Sequence, residues 1–237
     1  MAVKNLVQLG AVVCGQESIK LTESGLKLVK LGVEPLLGNI ILDNFSQGLG
    51  REGIVLAALM ENAGSIFYWV GTSAEKSKSN CLKLCFCHLD GDLFTLLSIY
   101  KEWEDKHKFS RNKWCSENSI NAKSMGRCKD AIVVMELCLK HELGITIPTY
   151  LTWSPFVSST YGVALRKIIL SYMAENLAMF SGYDWLGYDV ADTEQEAYLH
   201  PLCSLLALGH EPKWVVFGEL LYTTRLFLIC VTAIEED

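Results

Sequence analysis

The chain lacks the signatures of enzymes that act on nucleotides, esters or metal-bound water. It has no Gly-x4-Gly-Lys-Ser/Thr run and not even a Gly-Lys dipeptide, which excludes a phosphate loop. GxSxG, HExxH and paired CxxC patterns are also missing, so neither a nucleophile elbow nor a zinc hydrolase is indicated. Charge is sparse: Asp, Glu, Lys and Arg make up 20% of 237 residues, slightly low for a free-standing domain and suggestive of surfaces meant to be covered. Long apolar runs are absent. Stretches such as Ile54–Met60 and Leu226–Ile234 fall far short of the roughly 20 residues needed to cross a bilayer, and the opening MAVKNLVQLG lacks the apolar stretch of a signal peptide. The expectation is an intracellular protein, nuclear or cytoplasmic, with no membrane partner. Half the residues are apolar and mean hydropathy is +0.23, enough to bury one large core or several small ones.

Nine cysteines, an odd number, stand at 14, 81, 85, 87, 115, 128, 138, 203 and 230. Most lie inside apolar periodic segments, as buried thiols do, and a disulfide framework is not expected. The group Cys81-x3-Cys85-x-Cys87-His88 has some look of a metal site. No second ligand pair lies at zinc-finger spacing, however, and a half-buried strand explains it better, with Cys85, Cys87 and Lys83 on one face and Leu84, Phe86 and His88 on the other. No metal site is expected. The five histidines (88, 107, 141, 200, 210) have no nucleophile beside them. His200, before Pro201 in a strand-like context, reads as structural, with a contact role as the alternative. Nothing singles out an acid/base pair among the 27 carboxylates, so no catalytic residue is assigned.

Along the chain, the apolar positions of Val3–Val13 predict a short helix ended at Gly10. A hairpin follows in VVCGQESIKLT, and Thr22-Glu-Ser-Gly25 opens another helix. Helix, two-stranded wing, helix is the tail half of a winged-helix module, so the chain is expected to start inside a domain. Glu34-Pro35 marks a break. Residues 35–48 and 51–63 read as two amphipathic helices, and GTSAEKSKSN at 71–80 as a polar loop. Asp92 is a candidate N-cap for a helix carrying Leu93, Leu96, Leu97, Tyr100 and Trp103. A helix over Asn118–Glu142 places Ile120, Met125, Cys128, Ile132, Met135 and Leu139 on its buried stripe. Residues 145–160, rich in Ser, Thr and Pro, read as a connector. After a helix near 163–179 the texture turns to β, with runs at 186–190, 196–200, 214–220 and 225–234, the last two paired through Leu-Tyr-Thr-Thr. No internal repeat is seen.

The segment 91–129 stands out. Its Lys/Arg at 101, 106, 108, 111, 113, 123, 127 and 129 outnumber its acids, in a chain of net charge −6. Local positive charge in an acidic protein is a plausible docking surface for a polyanion, and a solvated helical hairpin is the plainer reading. Lys123 and Arg127, four apart, share a face away from the buried stripe.

The order of these segments resembles the C-terminal accessory region of DEAH-box RNA helicases. LTESGLKLVKLGVEPLLGNIIL is similar to the end of their winged helix and its passage into the helicase-associated, ratchet-like domain. GDLFTLLSIYKEW and NKWCSENSINAKSM resemble that domain's most recognisable stretch. AYLHPLCSLL and WVVFGELLYTTRLFLICVTAI resemble the terminal OB-fold. The wording is most similar to the plant DEAH-box proteins that also carry RING–IBR–RING ubiquitin-ligase domains. The resemblance implies an α+β multidomain fold: partial winged helix (1–33), helical ratchet-like bundle (34–144), connector (145–162), and a C-terminal OB-like β-barrel (163–237), whole or incomplete. It implies a non-catalytic accessory fragment that contributes single-stranded RNA binding. The RecA-like helicase domains, which would bind ATP and magnesium, are missing from the chain and are implied partners; no cofactor is expected on the chain itself. Matching the family's ratchet helix and barrel turn, Asn121, Lys123, Ser124 and Arg127, with Thr223, Thr224 and Arg225, are the implied RNA contacts. One departure stands against this. Residues 175–237 hold eleven acids against Lys213 and Arg225, and so acidic a barrel repels a phosphate backbone except locally. The alternative is therefore a protein-interaction module that docks a partner, such as an activator protein, through the acidic OB-like domain.

Overall fold

A computed structural model describes residues 2–15, 18–68, 71–157, 160–185, 187–191, 193 and 195–234. The chain opens with α1 (Ala2–Gln8), the strands β1 (Val12–Cys14) and β2 (Ile19–Leu21), paired antiparallel, and α2 (Glu23–Leu31). Thr22 caps α2 by accepting from Gly25 N at 2.9 Å, and its hydroxyl donates to Gly10 O. One capping side chain thus ties the wing to the helix that follows.

Two helices then build the centre: α3 (Pro35–Ser46) and α4 (Gly50–Ile66). Ile54–Leu59 of α4 are completely buried, which fits a helix apolar on every side. The helices approach closely at Gly53, where a Cβ would lie 2.7 Å from Asn44 Cβ and 3.1 Å from Ile41 Cα. On α4 pack α6 (Asp92–Asp105) and α8 (Ala122–Glu142), with the short α7 (Arg111–Glu117) against both of these and α9 (Thr160–Met173) against α3. The stripe predicted for α8 is buried in full, from Ile120 to Leu139. Arg51 braces three of these helices, reaching Glu104 on α6 and Glu136 on α8 at 2.6 Å each.

The segment after α8 is a connector without regular structure, yet it is firmly held. Trp153 is buried, the Glu52 carboxylate accepts from both Thr152 N and Trp153 N, and Lys101 Nζ donates to Trp153 O.

The remainder is a seven-stranded curled sheet, a half barrel. Its strands are β3 (Leu177–Phe180), β4 (Tyr188–Val190), β5 (Gln195–Leu199), β6 (Trp214–Val216), β7 (Glu219–Tyr222), β8 (Leu226–Ile229) and β9 (Thr232–Ile234), with α10 (Ser204–Leu208) between β5 and β6. The order across the sheet is β7-β8-β5-β4-β3-β6-β9, antiparallel except for the parallel pair β5–β8. A second core, including Tyr188, Leu205, Phe217 and Leu228, lies inside it. The architecture is thus α+β with an OB-like C-terminal part.

Several expectations are corrected. Residues 71–80 are not a loop: α5 (Ser73–Lys83) runs through them behind a capping box in which Thr72 and Glu75 exchange hydrogen bonds. Cys81–His88 is not a strand either. It is the end of α5 and a 3-10 turn over Leu84–Phe86, which buries Lys83 and Phe86 and exposes Leu84 and Cys85. The N-cap of α6 is Gly91, and the Asp92 carboxylate is drawn to the sheet instead. The helix placed at Asn118–Glu142 begins at Ala122, after Asn121. The helix near 163–179 ends at Met173, and its last expected residues are β3. Both long strands of the tail are broken, at Phe217-Gly218 and at Cys230-Val231, where Cys230 takes φ +56. The broken halves pair at opposite ends of the sheet, which curls it. Leu186, first in the run 186–190, lies outside the described residues, as do Gln16 and Glu17 of the hairpin.

Candidate nucleic-acid interface

The start of α8 carries the first group of expected contacts. Asn121 caps the helix, its Oδ1 accepting from Lys123 N at 3.1 Å and Ser124 N at 3.4 Å. The cap consumes the amides that a helix N-terminus would otherwise offer an anion. Any phosphate here must be met by side chains, and two suit it: Lys123 and Arg127 are both exposed. The Arg127 guanidinium is not loose. It donates to Ser65 Oγ at 3.0 Å and to Ser124 Oγ at 2.9 Å. Ser124 is fully buried and also bonds Ser65 O. This corrects its expected role, because a side chain without exposure positions Arg127 and has no face for RNA. On the opposite side of the helix Cys128 lies in the core, and burial pushes its thiol up to about 11.

Two residues of this patch were not foreseen. Ser65 lies in the last turn of α4 and Tyr68 just beyond it. They reach α8 because the chain after α4 pairs with the loop before α8: Phe67 forms a bridge with Ile120, Tyr68 N donates to Ser119 O, and Asn121 N donates to Ile66 O. Tyr68, 47% exposed, donates its hydroxyl to Asn121 Oδ1 at 3.3 Å. An exposed ring thus stands beside two cations. The sequence signal was the polar break Glu61-Asn62-Ala63-Gly64-Ser65 after an apolar helix, but its partner sits some 55 residues further on.

The second group sits elsewhere. Thr223, Thr224 and Arg225 form the exposed turn between β7 and β8, closed by Thr223 N donating to Arg225 O. The Arg225 guanidinium lies 4.8 Å from the centre of the Tyr198 ring. Thr224 and Arg225 border a cavity of the sheet with Asp184 and Glu211. The α8 group instead meets, through Ser65, a 440 Å³ cleft between the helical body and the sheet, lined among others by Glu61, Asn62, Gly64, Asn176 and Glu219. The structure therefore brings Asn121, Lys123 and Arg127 together and leaves the turn as a separate spot. Among the described residues no group of three or more His, Cys, Asp or Glu is placed to hold a metal ion, and no helix is long and apolar enough to cross a membrane.

Body and sheet are tied at one joint. Asp92 N donates to Val231 O, Ala233 N donates to Asp90 O, and Gly91 bridges to Thr232. The Asp92 carboxylate accepts from Ser204 N, Ser204 Oγ and Val231 N at 2.7, 2.9 and 3.0 Å. Val216 and Cys230 of the sheet belong to the helical core.

Residues 165–237, which include the whole curled sheet, match the OB_NTP_bind family, an oligonucleotide/oligosaccharide-binding (OB) fold. The full chain is similar to two proteins of Arabidopsis thaliana, named ATP-dependent RNA helicase DEAH11, chloroplastic, and ATP-dependent RNA helicase DEAH12, chloroplastic. Each is 53% identical over 235 residues, 99% of this chain. The chain is homologous to a segment of plant DEAH-box RNA helicases. It spans 13% of the length of those relatives. The OB-type tail is also the acidic part of the chain, with eleven acids against two bases over residues 175–237.

Proposed function

We propose that this segment is the non-catalytic accessory part of a DEAH-box ATP-dependent RNA helicase and holds single-stranded RNA by its backbone. The observation that carries this reading is the α8 patch: an exposed Arg127 fixed by Ser65 and Ser124, Lys123 one turn away, and Tyr68 beside them. Fixed cations meet phosphates with little ordering cost, and an aromatic face accepts any base. RecA-like domains in the longer polypeptide would bind ATP and magnesium and would be the segment's first partners; the segment supplies grip without phosphoryl transfer. Both relatives are named chloroplastic, which favours a plastid location over the nuclear or cytoplasmic one.

The test is fluorescence anisotropy with oligo-U and oligo-A at several salt concentrations. The double variant Lys123→Ala, Arg127→Ala should weaken both oligonucleotides alike, since phosphate contacts carry no base information. Each lost contact should flatten the log-affinity against log-salt slope by roughly 0.7, the single-strand value. Unchanged binding by the double variant would remove the α8 patch from the reading.

The net charge of −9 over residues 175–237, with Trp185 68% and Tyr222 80% exposed, favours a second reading for the sheet: it docks a basic protein partner. A parent chain that binds no oligonucleotide even at low salt would leave this as the function.

A further inference from the structure

Next to the cleft below Ser65 lies a second cavity of 280 Å³ between α4, α5, α6 and the sheet. Its lining includes Ala63, Phe67, Leu96, Leu202, Leu221 and Ile229, which make it largely apolar. Into it projects Lys83, whose residue is only 3% exposed. The ammonium sits 4.4 Å from the centre of the Phe67 ring and forms no ion pair within 4.0 Å among the described residues. A buried ammonium is costly unless a compensating charge meets it. The cavity's own carboxylates form no ion pair with it. Asp92 is committed to Ser204 and Val231, and Glu219 stands exposed at the rim. The cation is therefore matched to an anion from outside. Two carboxylates in the lining disfavour a polyanion or a phosphate dianion, and the apolar walls call for an apolar body.

We propose that this cavity binds a small amphipathic monocarboxylate, its head group on the Lys83 ammonium and its apolar body between Phe67, Leu96 and Ile229. The ligand would touch the helical body and the sheet at once, so occupancy would stiffen their contact. The site is separate from the α8 patch and does not depend on RNA binding.

The experiment is calorimetric titration of the full 237-residue chain with octanoate, 1-naphthoate, 1-octanol and inorganic phosphate. Both carboxylates should bind with one-to-one stoichiometry, octanol at least about tenfold more weakly, reflecting the lost charge-assisted bond, and phosphate not at all. Preference for octanoate or for naphthoate tells an aliphatic from an aromatic acid. Lys83→Met should weaken octanoate at least about tenfold and leave octanol unchanged. Leu221→Trp, at a partly exposed position on β7, should block all three organic probes without touching the cation. Equal affinity for octanol and octanoate, binding of phosphate as tight as octanoate, or several octanoates per chain would overturn the proposal. Should Lys83→Met fail to fold, octanoate binding by Leu221→Trp at the parent's affinity would overturn it equally.

Discussion

Residues 1–174 carry 19 Lys and Arg against 16 acids, while residues 175–237 carry two against eleven. The two regions also differ in how they are built. The helical body is organised around one helix, α4, fully buried over Ile54–Leu59, with polar side chains recruited as internal braces: Arg51 between Glu104 and Glu136, and Glu52 under the connector. The sheet has short strands of three to five residues, a small core of its own, and a sequence in which acids far outnumber bases. The full chain is similar to proteins named RNA helicases, and its body presents two exposed cations close together, Lys123 and Arg127, the latter held by Ser65 and Ser124. An OB shape does not by itself make a phosphate-binding surface; the charges on it decide.

The largest effect that would sharpen this comparison lies at the joint. Gly91 has φ +113, and a Cβ there would run into Val231 O and come within 2.9 Å of Thr232 Cα. Gly91→Ala should cost about 3–5 kcal/mol, as strain and backbone displacement combine. In urea unfolding it should also split one transition into two, because the sheet loses its seat before the body melts. A single transition at the parent midpoint would show that the regions do not depend on this contact.

The next effect concerns the body alone. Glu52→Ala leaves the part-buried amide of Thr152 and the buried amide of Trp153 without their acceptor. A loss of about 3 kcal/mol is expected, with increased protease cleavage in the connector near Trp153. The α8 patch should keep its RNA affinity, which separates a packing defect from a binding one.

Acidification should act more weakly, and on both regions. Burial lowers His88, with Asp90 opposing and Arg166 adding to the effect. Burial also lowers His200, where Asp92 opposes and Lys83 adds. Below the ordinary histidine value near 6.5 the unfolded chain takes up protons that the folded one refuses. The stabilisation is complete above that value and is lost as pH falls through it towards the lowered folded values. A drop of under about 1 kcal/mol per histidine is expected between pH 7 and 5.5, and His88→Asn with His200→Asn should remove most of it. Unchanged urea midpoints across that range would count against it.

The smallest effect should come from the exposed turn between β7 and β8. Arg225→Ala removes a guanidinium already engaged with the Tyr198 ring and should change oligo-U affinity by less than about twofold, against the larger loss from Lys123 and Arg127. A loss as large as theirs would mean that the sheet closes over the strand.

Much of the body could be read directly from periodicity. The buried stripe of α8 and the apolar α4 follow from three- and four-residue spacing, and Thr22 from its capping chemistry. The capping box at Thr72 and Glu75 was equally legible, but the polar composition of 71–80 masked it. Cys81–His88 misled because alternation in so short a segment fits a strand and a helix end alike. The sheet was harder. Its two long apolar runs look like continuous strands, and nothing local announces that Cys230 adopts a left-handed backbone and divides one of them. The α8 patch was half legible: Lys123 and Arg127 share a helix face by spacing, but Ser65 and Tyr68 join them only through the pairing of Phe67 with Ile120. The joint could not be foreseen, since Asp92 looks like a helix cap and spends its carboxylate on Ser204 and Val231, more than a hundred residues away.

The joint has one further consequence. Apart from those of the Asp92 carboxylate and the Ser204 hydroxyl, its hydrogen bonds are made by main-chain groups: Asp92 N to Val231 O, Ala233 N to Asp90 O, and the bridge from Gly91 to Thr232. Peptide groups are the same whatever side chains they carry. The hydrogen-bonded part of the joint is therefore insulated from mutation of surface side chains, while its packed part, where Val216 and Cys230 enter the helical core, is not. Descendants of this segment could turn the sheet from basic to acidic, or the patch from one partner to another, and still inherit the same relative orientation.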